Sequence, residues 1–402
     1  MYDKPAHVPV KSPRRTLADP ESPMRKYLIA GAVLLAAVAA VVALVPALRY
    51  QVQGRLSGEP VVEGQPASYW VYAVREGEST RERAEAAAAL GQLGEQAPAE
   101  TAAALTQALS DPEASVRKSA ASALGKVGSA QDAAGPLLTA LGDKDADVRA
   151  AAAGALGLLR PSDPAVVPAL HERAKGEGYL PARLAAFAAL GRLGDRATVA
   201  VPTLIDALKE SDSPLGSPHE FAVVALKAIG PPTLPAVTEA LGRPEPRTRI
   251  GSLKILAGLG AAARPAVPEV EKRLADEDPL VGLEAVHALW VIERNTERTI
   301  GAALKHLRTT ETDQRKRGQI RAKAIYILGE VGPDAKAAVP ELLAILKDDP
   351  ESYIRTYTAQ ALGKMGRDPT IVAALKVAAK DDKDPEVCGA AHEALKKLAS
   401  SS

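Results

Sequence analysis

Three His-Glu dipeptides, His171-Glu172, His219-Glu220 and His392-Glu393, are the residues best suited by type to hold a metal. An imidazole next to a carboxylate brings two ligands together, but a catalytic centre needs several such pairs facing one another. Glu284 and His287, three apart, have the spacing of carboxylate-bridged metal sites between helices. Such sites need a second helix carrying the same pair, and the sequence has none, so a surface or partly buried polar pair is expected. Cys388 is the only cysteine, which excludes an intrachain disulfide and a cysteine-based metal site. It is expected to be a small core side chain rather than a reactive thiol. No nucleophile elbow, phosphate loop or zinc-protease motif occurs. No catalytic, cofactor-binding or metal-ligating residue is therefore assigned, and a non-enzyme without a cofactor is expected.

Binding chemistry is better represented. Between Lys305 and Lys323 the chain carries Lys305, Arg308, Arg315, Lys316, Arg317, Arg321 and Lys323 against Glu311 and Asp313, a local net charge of +5. Fixed positive charge of this kind attracts acidic protein surface or lipid headgroups, more strongly at low salt. Arg321 falls at a repeated position with a structural role. The candidate partner-binding residues are thus Lys305, Arg308, Arg315, Lys316 and Arg317, on a stretch, Thr309 to Gly318, expected to be an inserted loop. The chain as a whole has 50 basic and 49 acidic residues. Residues 1 to 49 hold seven basic and three acidic ones, leaving 43 against 46 in the rest. That balance argues against a duplex-binding groove. Protein partners are expected, not nucleic acid or a small molecule.

The elements that hold these residues are set by a repeat. Asp111 to Gly128 reads DPEASVRKSAASALGKVG and Asp349 to Gly366 reads DPESYIRTYTAQALGKMG, with ten of eighteen positions identical. Val116, Ala120, Ala123, Leu124 and Val127 form an apolar stripe at helical spacing. Sliding this unit along the chain finds ten anchor leucines: Leu90, Leu124, Leu156, Leu190, Leu226, Leu256, Leu289, Leu328, Leu362 and Leu395. Arg precedes the anchor by seven residues in seven units, as Arg83, Arg117, Arg149, Arg183, Arg249, Arg321 and Arg355. Gly follows it by four in seven, as Gly94, Gly128, Gly194, Gly230, Gly260, Gly332 and Gly366, each expected to be a left-handed helix stop. Gly125 and Gly191 are likewise read as helix-end glycines. In six units a Pro lies 20 to 24 residues before the anchor, in a first apolar segment. Each unit is therefore a Pro-bearing helix, a turn often carrying Asp, and an Ala-rich second helix. Aromatics make up only 3% of the chain, so the core is built from Ala, Leu and Val.

This pattern resembles the HEAT repeat family, near its bacterial lyase-like subgroup, over roughly residues 66 to 398. The resemblance implies an all-α fold: an α-solenoid (superhelix) of about ten helix pairs, with second helices lining its concave side. It also implies that the recurring Asp and Arg (Asp111 with Arg117, Asp143 with Arg149, Asp349 with Arg355) form a structural ladder between repeats. Deoxyhypusine hydroxylase, an enzyme built of these repeats, holds two irons with four His-Glu pairs. Only His219-Glu220 matches that placement, with His in the Arg position of a second helix, so no di-iron centre is expected. Repeat arrays host many roles. The function expected is a scaffold that binds other macromolecules, most of all proteins, through its concave surface and inter-repeat loops. The alternative implied by the subgroup is an enzyme or enzyme subunit of the phycobilin-lyase type. Gly282 and Cys388 replace the Arg in the Leu289 and Leu395 units, and neither anchor there is followed by Gly.

Ahead of the array, residues 1 to 26 are polar and basic and are read as a disordered cytoplasmic tail. Tyr27 to Leu48 runs for 22 residues without a charge, long enough to cross a bilayer as one transmembrane helix, with Pro46 harmless near its end. Arg25 and Lys26 set the N-terminus inside, placing the array on the outer, periplasmic or extracytoplasmic, side. Cleavage near Val45-Pro46-Ala47, releasing a secreted product, is the competing expectation. Residues 49 to 66, rich in Gly and Pro, are read as a linker. The array is expected over 67 to 398, and residues 399 to 402 as a frayed tail.

Overall fold

The computed structural model describes residues 23 to 400. The tail expected over residues 1 to 26 lies largely outside them. The chain divides into two compact units, Met1–Val127 and Gly128–Ser402.

In the first unit, α1 (Pro23–Leu44) and α2 (Pro46–Leu56) precede a two-stranded antiparallel hairpin, β1 (Val61–Val62) and β2 (Gln65–Pro66). Glu63 and Gly64 turn the hairpin with positive φ at both central positions. Two helix pairs follow: α3 (Ala67–Glu76) with α4 (Thr80–Gln92), and α5 (Ala99–Ala108) with α6 (Ala114–Val127). Trp70 lies on α3. Its indole N–H donates to the Val62 carbonyl at 3.0 Å, tying α3 to the hairpin.

The second unit holds eight more pairs. They are α7 (Ala130–Ala140) with α8 (Ala146–Leu159), α9 (Val166–Gly176) with α10 (Leu180–Leu193), α11 (Val201–Ala207) with α12 (Pro218–Ile229), and α13 (Leu234–Ala240) with α14 (Pro246–Leu259). Then come α15 (Val267–Lys272) with α16 (Pro279–Glu293), α17 (Thr296–Leu307) with α18 (Gln314–Val331), α19 (Val339–Asp348) with α20 (Ser352–Leu362), and α21 (Pro369–Asp381) with α22 (Pro385–Ser400). Short 3-10 segments lead into several first helices. Pro202, Pro235, Pro268 and Pro340 then sit in the first turns of α11, α13, α15 and α19, where the missing N–H costs nothing.

Nine anchor leucines are buried, and Leu395 is half-buried. The Ala-Leu-Gly signature arises from how consecutive second helices touch. Gly157 on α8 lies against Ala189 on α10, and Gly191 on α10 against Ala225 on α12; a Cβ at Gly191 would stand 2.8 Å from the Ala225 Cα. Gly191 is therefore a packing residue inside α10, not a helix end. The helix-end role belongs to the glycine four past the anchor, but in a different conformation from the one expected. Gly194 has φ 66° and ψ −140°, and Gly260 has φ 57° and ψ −132°. This is the mirror image of extended backbone, open essentially to Gly alone. The true left-handed caps are Arg160 and Arg294, which end two of the three second helices that lack that glycine.

The N-terminal apolar run is not one straight helix to Leu48. It breaks at Val45, whose φ −106° and ψ 100° reflect the steric pressure of the proline after it, and Pro46 opens α2. α2 also occupies the start of the stretch read as linker. By length and composition, Lys26–Val42 and Pro46–Leu56 suffice for a span only as a pair, bent by 110°. Among the described residues, the single segment that passes unbent is Pro246–Ala275. It comprises α14, the Gly260 turn and α15, and it places Leu253, Ile255 and Leu256 in the core, so its apolarity belongs to the array.

Candidate interaction surface

Most of the repeated arginines serve the array itself. Each reaches an acid in the next repeat, 27 or 28 residues on: Arg83 with Asp111 at 2.8 Å, Arg149 with Glu177 at 2.6 Å, Arg183 with Glu210 at 2.7 Å, Arg249 with Asp276 at 2.8 Å and Arg355 with Asp382 at 2.7 Å. Arg321 pairs likewise with Asp349. The same-repeat pairs read from the sequence are joined differently, through the backbone. Arg117 donates to the carbonyl of Asp111 at 2.9 Å, Arg149 to that of Asp143 at 2.9 Å, and Arg355 to that of Asp349 at 2.8 Å. These aspartates also accept the N–H two residues on, as Asp349 does from Glu351 at 3.0 Å. One Asp thus fixes its own turn and joins two repeats, and its carboxyl is held below the usual range at Asp382 by the Arg355 guanidinium.

Two residues that replace this Arg keep half of its role. His219 Nδ1 donates to the Leu208 carbonyl at 2.7 Å, and the Cys388 thiol to the Asp382 carbonyl at 3.4 Å. His219 is buried, and burial holds its pKa below the ordinary value. His171 meets Thr203 at 2.9 Å and His392 the Cys388 carbonyl at 2.8 Å. The three His-Glu pairs do not converge, and no group of three or more potential metal ligands occurs among the described residues.

The basic stretch is rearranged relative to expectation. It is not an inserted loop: α18 begins at Gln314, so Arg315, Lys316 and Arg317 form its first turn. Arg317 donates to the Glu311 carbonyl at 3.1 Å, the bond that Arg149 makes in its own repeat. The longer α18 therefore splits the arginine's two tasks between Arg317 and Arg321. Lys316 lies 3.7 Å from Asp278 and 3.9 Å from Glu311. Arg308 is forked onto Glu341, the closer contact at 2.6 Å. Lys305 and Arg315 are exposed and make no ion pair or hydrogen bond among the described residues.

A different strip stands out on the second helices, at positions five before, two before and two after the anchor. The first set contains Phe221, Glu284, Lys323 and Tyr357, the second Val224, Lys254, His287 and Tyr326, and the third Glu330 and Lys364. Contacts link them from helix to helix. Lys254 meets Glu220 at 3.0 Å, Lys323 meets Glu284 at 2.8 Å, and Lys364 meets Glu330 at 2.6 Å. Tyr326 stands at the centre, with the Lys323 and Lys364 ammonium groups 5.3 and 5.5 Å from its ring and His287 edge-on at 5.7 Å. Burial pushes the Glu284 carboxyl up, but the His287 hydrogen bond and Lys323 outweigh it and hold it at about 2. Glu284 and His287 are the partly buried polar pair expected. Phe221, Val224, Tyr326 and Tyr357 remain exposed. The signal in the sequence is the outward stripe of the same helices whose inward stripe defines the repeat.

The profile described as HEAT repeats matches residues 68–157, 134–216 and 314–396. No curated protein sequence matches the chain. Among solved structures, Kap95p bound to RanGDP is similar at 14% identity with a TM-score of 0.59, over 83% of this chain and 51% of that one. Yeast importin-β, Kap95p, is similar at 16% identity and 0.54, over 83% and 51%. This chain thus spans about half the length of those it matches. The CpcE–CpcF complex of phycocyanin lyase from Nostoc sp. PCC7120 is 23% identical over 66% of this chain and 94% of that one; its TM-score of 0.35 is too low to carry the lyase reading. The profile matches cover more than half of the sequence, and the chain belongs to the HEAT repeats family.

Proposed function

We propose that this chain is a membrane-anchored scaffold whose repeat array binds other proteins through the outward face of its second helices from α12 to α20. The observation that carries this reading is the strip around Tyr326. In a chain with 3% aromatic residues, Phe221, Tyr326 and Tyr357 are placed on an exposed face instead of in the core. Aromatic side chains that combine apolar area with few rotamers are enriched at protein interfaces. The charges beside them are paired within the strip, so a partner meets an apolar and aromatic surface without having to neutralise free charge. Kap95p, of the same fold, binds RanGDP. Replacing Tyr326 and Tyr357 with Ala is expected to abolish capture of the native partner while leaving the melting temperature within a few degrees of wild type. Unchanged capture would end the reading.

The anchor rests on the apolar run of α1 and its continuation past the bend at Val45 into α2. Residues 27 to 41 are apolar and exposed, with no protein covering them. An apolar helix without cover is costly in water and stable in a bilayer. Arg25 and Lys26 at its start support, by the positive-inside rule, a cytoplasmic N-terminus and an array on the outer side. A reporter active only outside the cytoplasm, fused after Ser402, is expected to be active, and an inactive reporter contradicts this orientation.

A further inference from the structure

The ladder has a missing rung. At Gly282, on α16, the Leu289 repeat has no side chain to reach into the next turn, and a Cβ there would meet nothing closer than the Leu274 carbonyl at 3.4 Å and His306 at 3.6 Å. The groove beside it, between the ends of α15 and α17, encloses about 780 Å³. The corresponding groove between the ends of α3 and α5, where Arg83 holds Asp111, encloses about 250 Å³. The larger groove has Leu274, Pro279 and Leu304 among its apolar lining, and Lys305 and His306 with the paired Asp276 and Arg308 among its polar lining. The acids nearest this groove already have partners: Asp276 is held by Arg249 and Arg273, and Asp278 and Glu311 by Lys316. Arg308 is held by Glu341. Lys305 makes no ion pair or hydrogen bond among the described residues and lines a groove of mixed apolar and polar character.

We infer that this groove receives an acidic segment of a partner polypeptide, with a carboxylate on Lys305 and a neighbouring aliphatic side chain on Leu274, Pro279 and Leu304. Charge complementarity selects the anion: among the charged side chains lining the groove, Lys305 is the one with no ion-pair partner among the described residues. The groove is large enough to admit a side chain, and its apolar residues select a peptide over a free inorganic anion. Lys305 adds a donor whose pairing with the carboxylate, part-shielded by the groove walls, is stronger than on an open surface. This inference rests on the proposed protein-binding role and adds a contact separate from the Tyr326 strip.

The test uses the full chain purified in detergent and a fluorescein-labelled peptide, acetyl-Ser-Leu-Glu-Leu-Glu-Ser-amide, with its Gln-for-Glu counterpart, read by fluorescence anisotropy at low salt. The Glu peptide is expected to bind about five-fold more tightly than the Gln peptide. Lys305→Gln should erase that preference. Gly282→Arg, which refills the slot and must move His306, should erase it too, whereas Arg315→Gln should retain it. No preference in wild type, or a preference that survives Lys305→Gln, overturns the inference. So does Lys305-dependent binding to phosphatidylglycerol vesicles without peptide binding, which would assign the groove to lipid headgroups. Photocrosslinking from Tyr326 separates the two claims: if a partner is crosslinked there in wild type while wild type shows no preference for the Glu peptide, only the groove is lost.

Discussion

Arg149 and Glu177, 28 residues apart and in consecutive repeats, meet through two hydrogen bonds of 2.6 and 2.8 Å. The carboxylate is buried, and the guanidinium is mostly so. Removing the arginine leaves Glu177 with the Tyr179 N–H at 3.1 Å and Arg173 at 3.8 Å. Arg149→Ala is expected to cost on the order of 2 kcal/mol, below the full penalty of an unpaired buried charge because Arg149 is partly solvated. Arg308→Ala, which breaks an exposed pair, should change stability little. Urea unfolding read with local hydrogen exchange checks both, because a repeat array can open in parts.

Glu284 gives the strip a pH dependence of defined sign. Its carboxyl titrates at about 2 in the folded chain, against an ordinary value of 4.5. A depressed carboxyl contributes stability that is fully present above the unfolded value and is lost as pH falls through the folded one. The stability difference between wild type and Glu284→Gln should therefore be constant above about pH 5 and shrink between about pH 4.5 and 2. Thermal melts of both proteins across that range measure it. A difference that grows on acidification would contradict the assignment.

Gly191 offers a test in which local propensity and packing have opposite signs. In an exposed helix interior, Gly→Ala stabilises by ~0.5 to 1 kcal/mol. On α10 the new methyl would press on the Ala225 backbone, so Gly191→Ala is expected to destabilise by ~1 to 3 kcal/mol instead. Gly154, whose added Cβ meets nothing within 4 Å, is the control, and Gly154→Ala should be neutral or stabilising.

The repeat, its helix pairs and nearly all anchor leucines are legible in the sequence, because apolar spacing and burial are the same signal seen twice. The ladder is legible as a recurrence but not as a geometry. Asp111 and Arg117 recur together, yet the carboxylate of Asp111 belongs to Arg83, since a side chain contact between repeats leaves no trace in local spacing. The Thr309 to Gly318 stretch reads as a loop because it lengthens its unit to the widest anchor spacing, 39 residues from Leu289 to Leu328. In the fold Gly318 lies within α18, where the Tyr353 hydroxyl packs over it. Pro46 looks harmless when helix length alone is counted, without the constraint it places on Val45. The Tyr326 strip is not legible as a unit, because its members are adjacent only across helices.

The central claim is that the second-helix face around Tyr326 is where a partner protein docks. Photoreactive benzoylphenylalanine placed at Tyr326, at Tyr357 and at Val199, which is exposed in the 3-10 turn before α11, tests it in native membranes. The account predicts that one and the same polypeptide, identified by mass spectrometry, is crosslinked from Tyr326 and Tyr357 and not from Val199. Crosslinks to that polypeptide from Val199 but from neither tyrosine would contradict it.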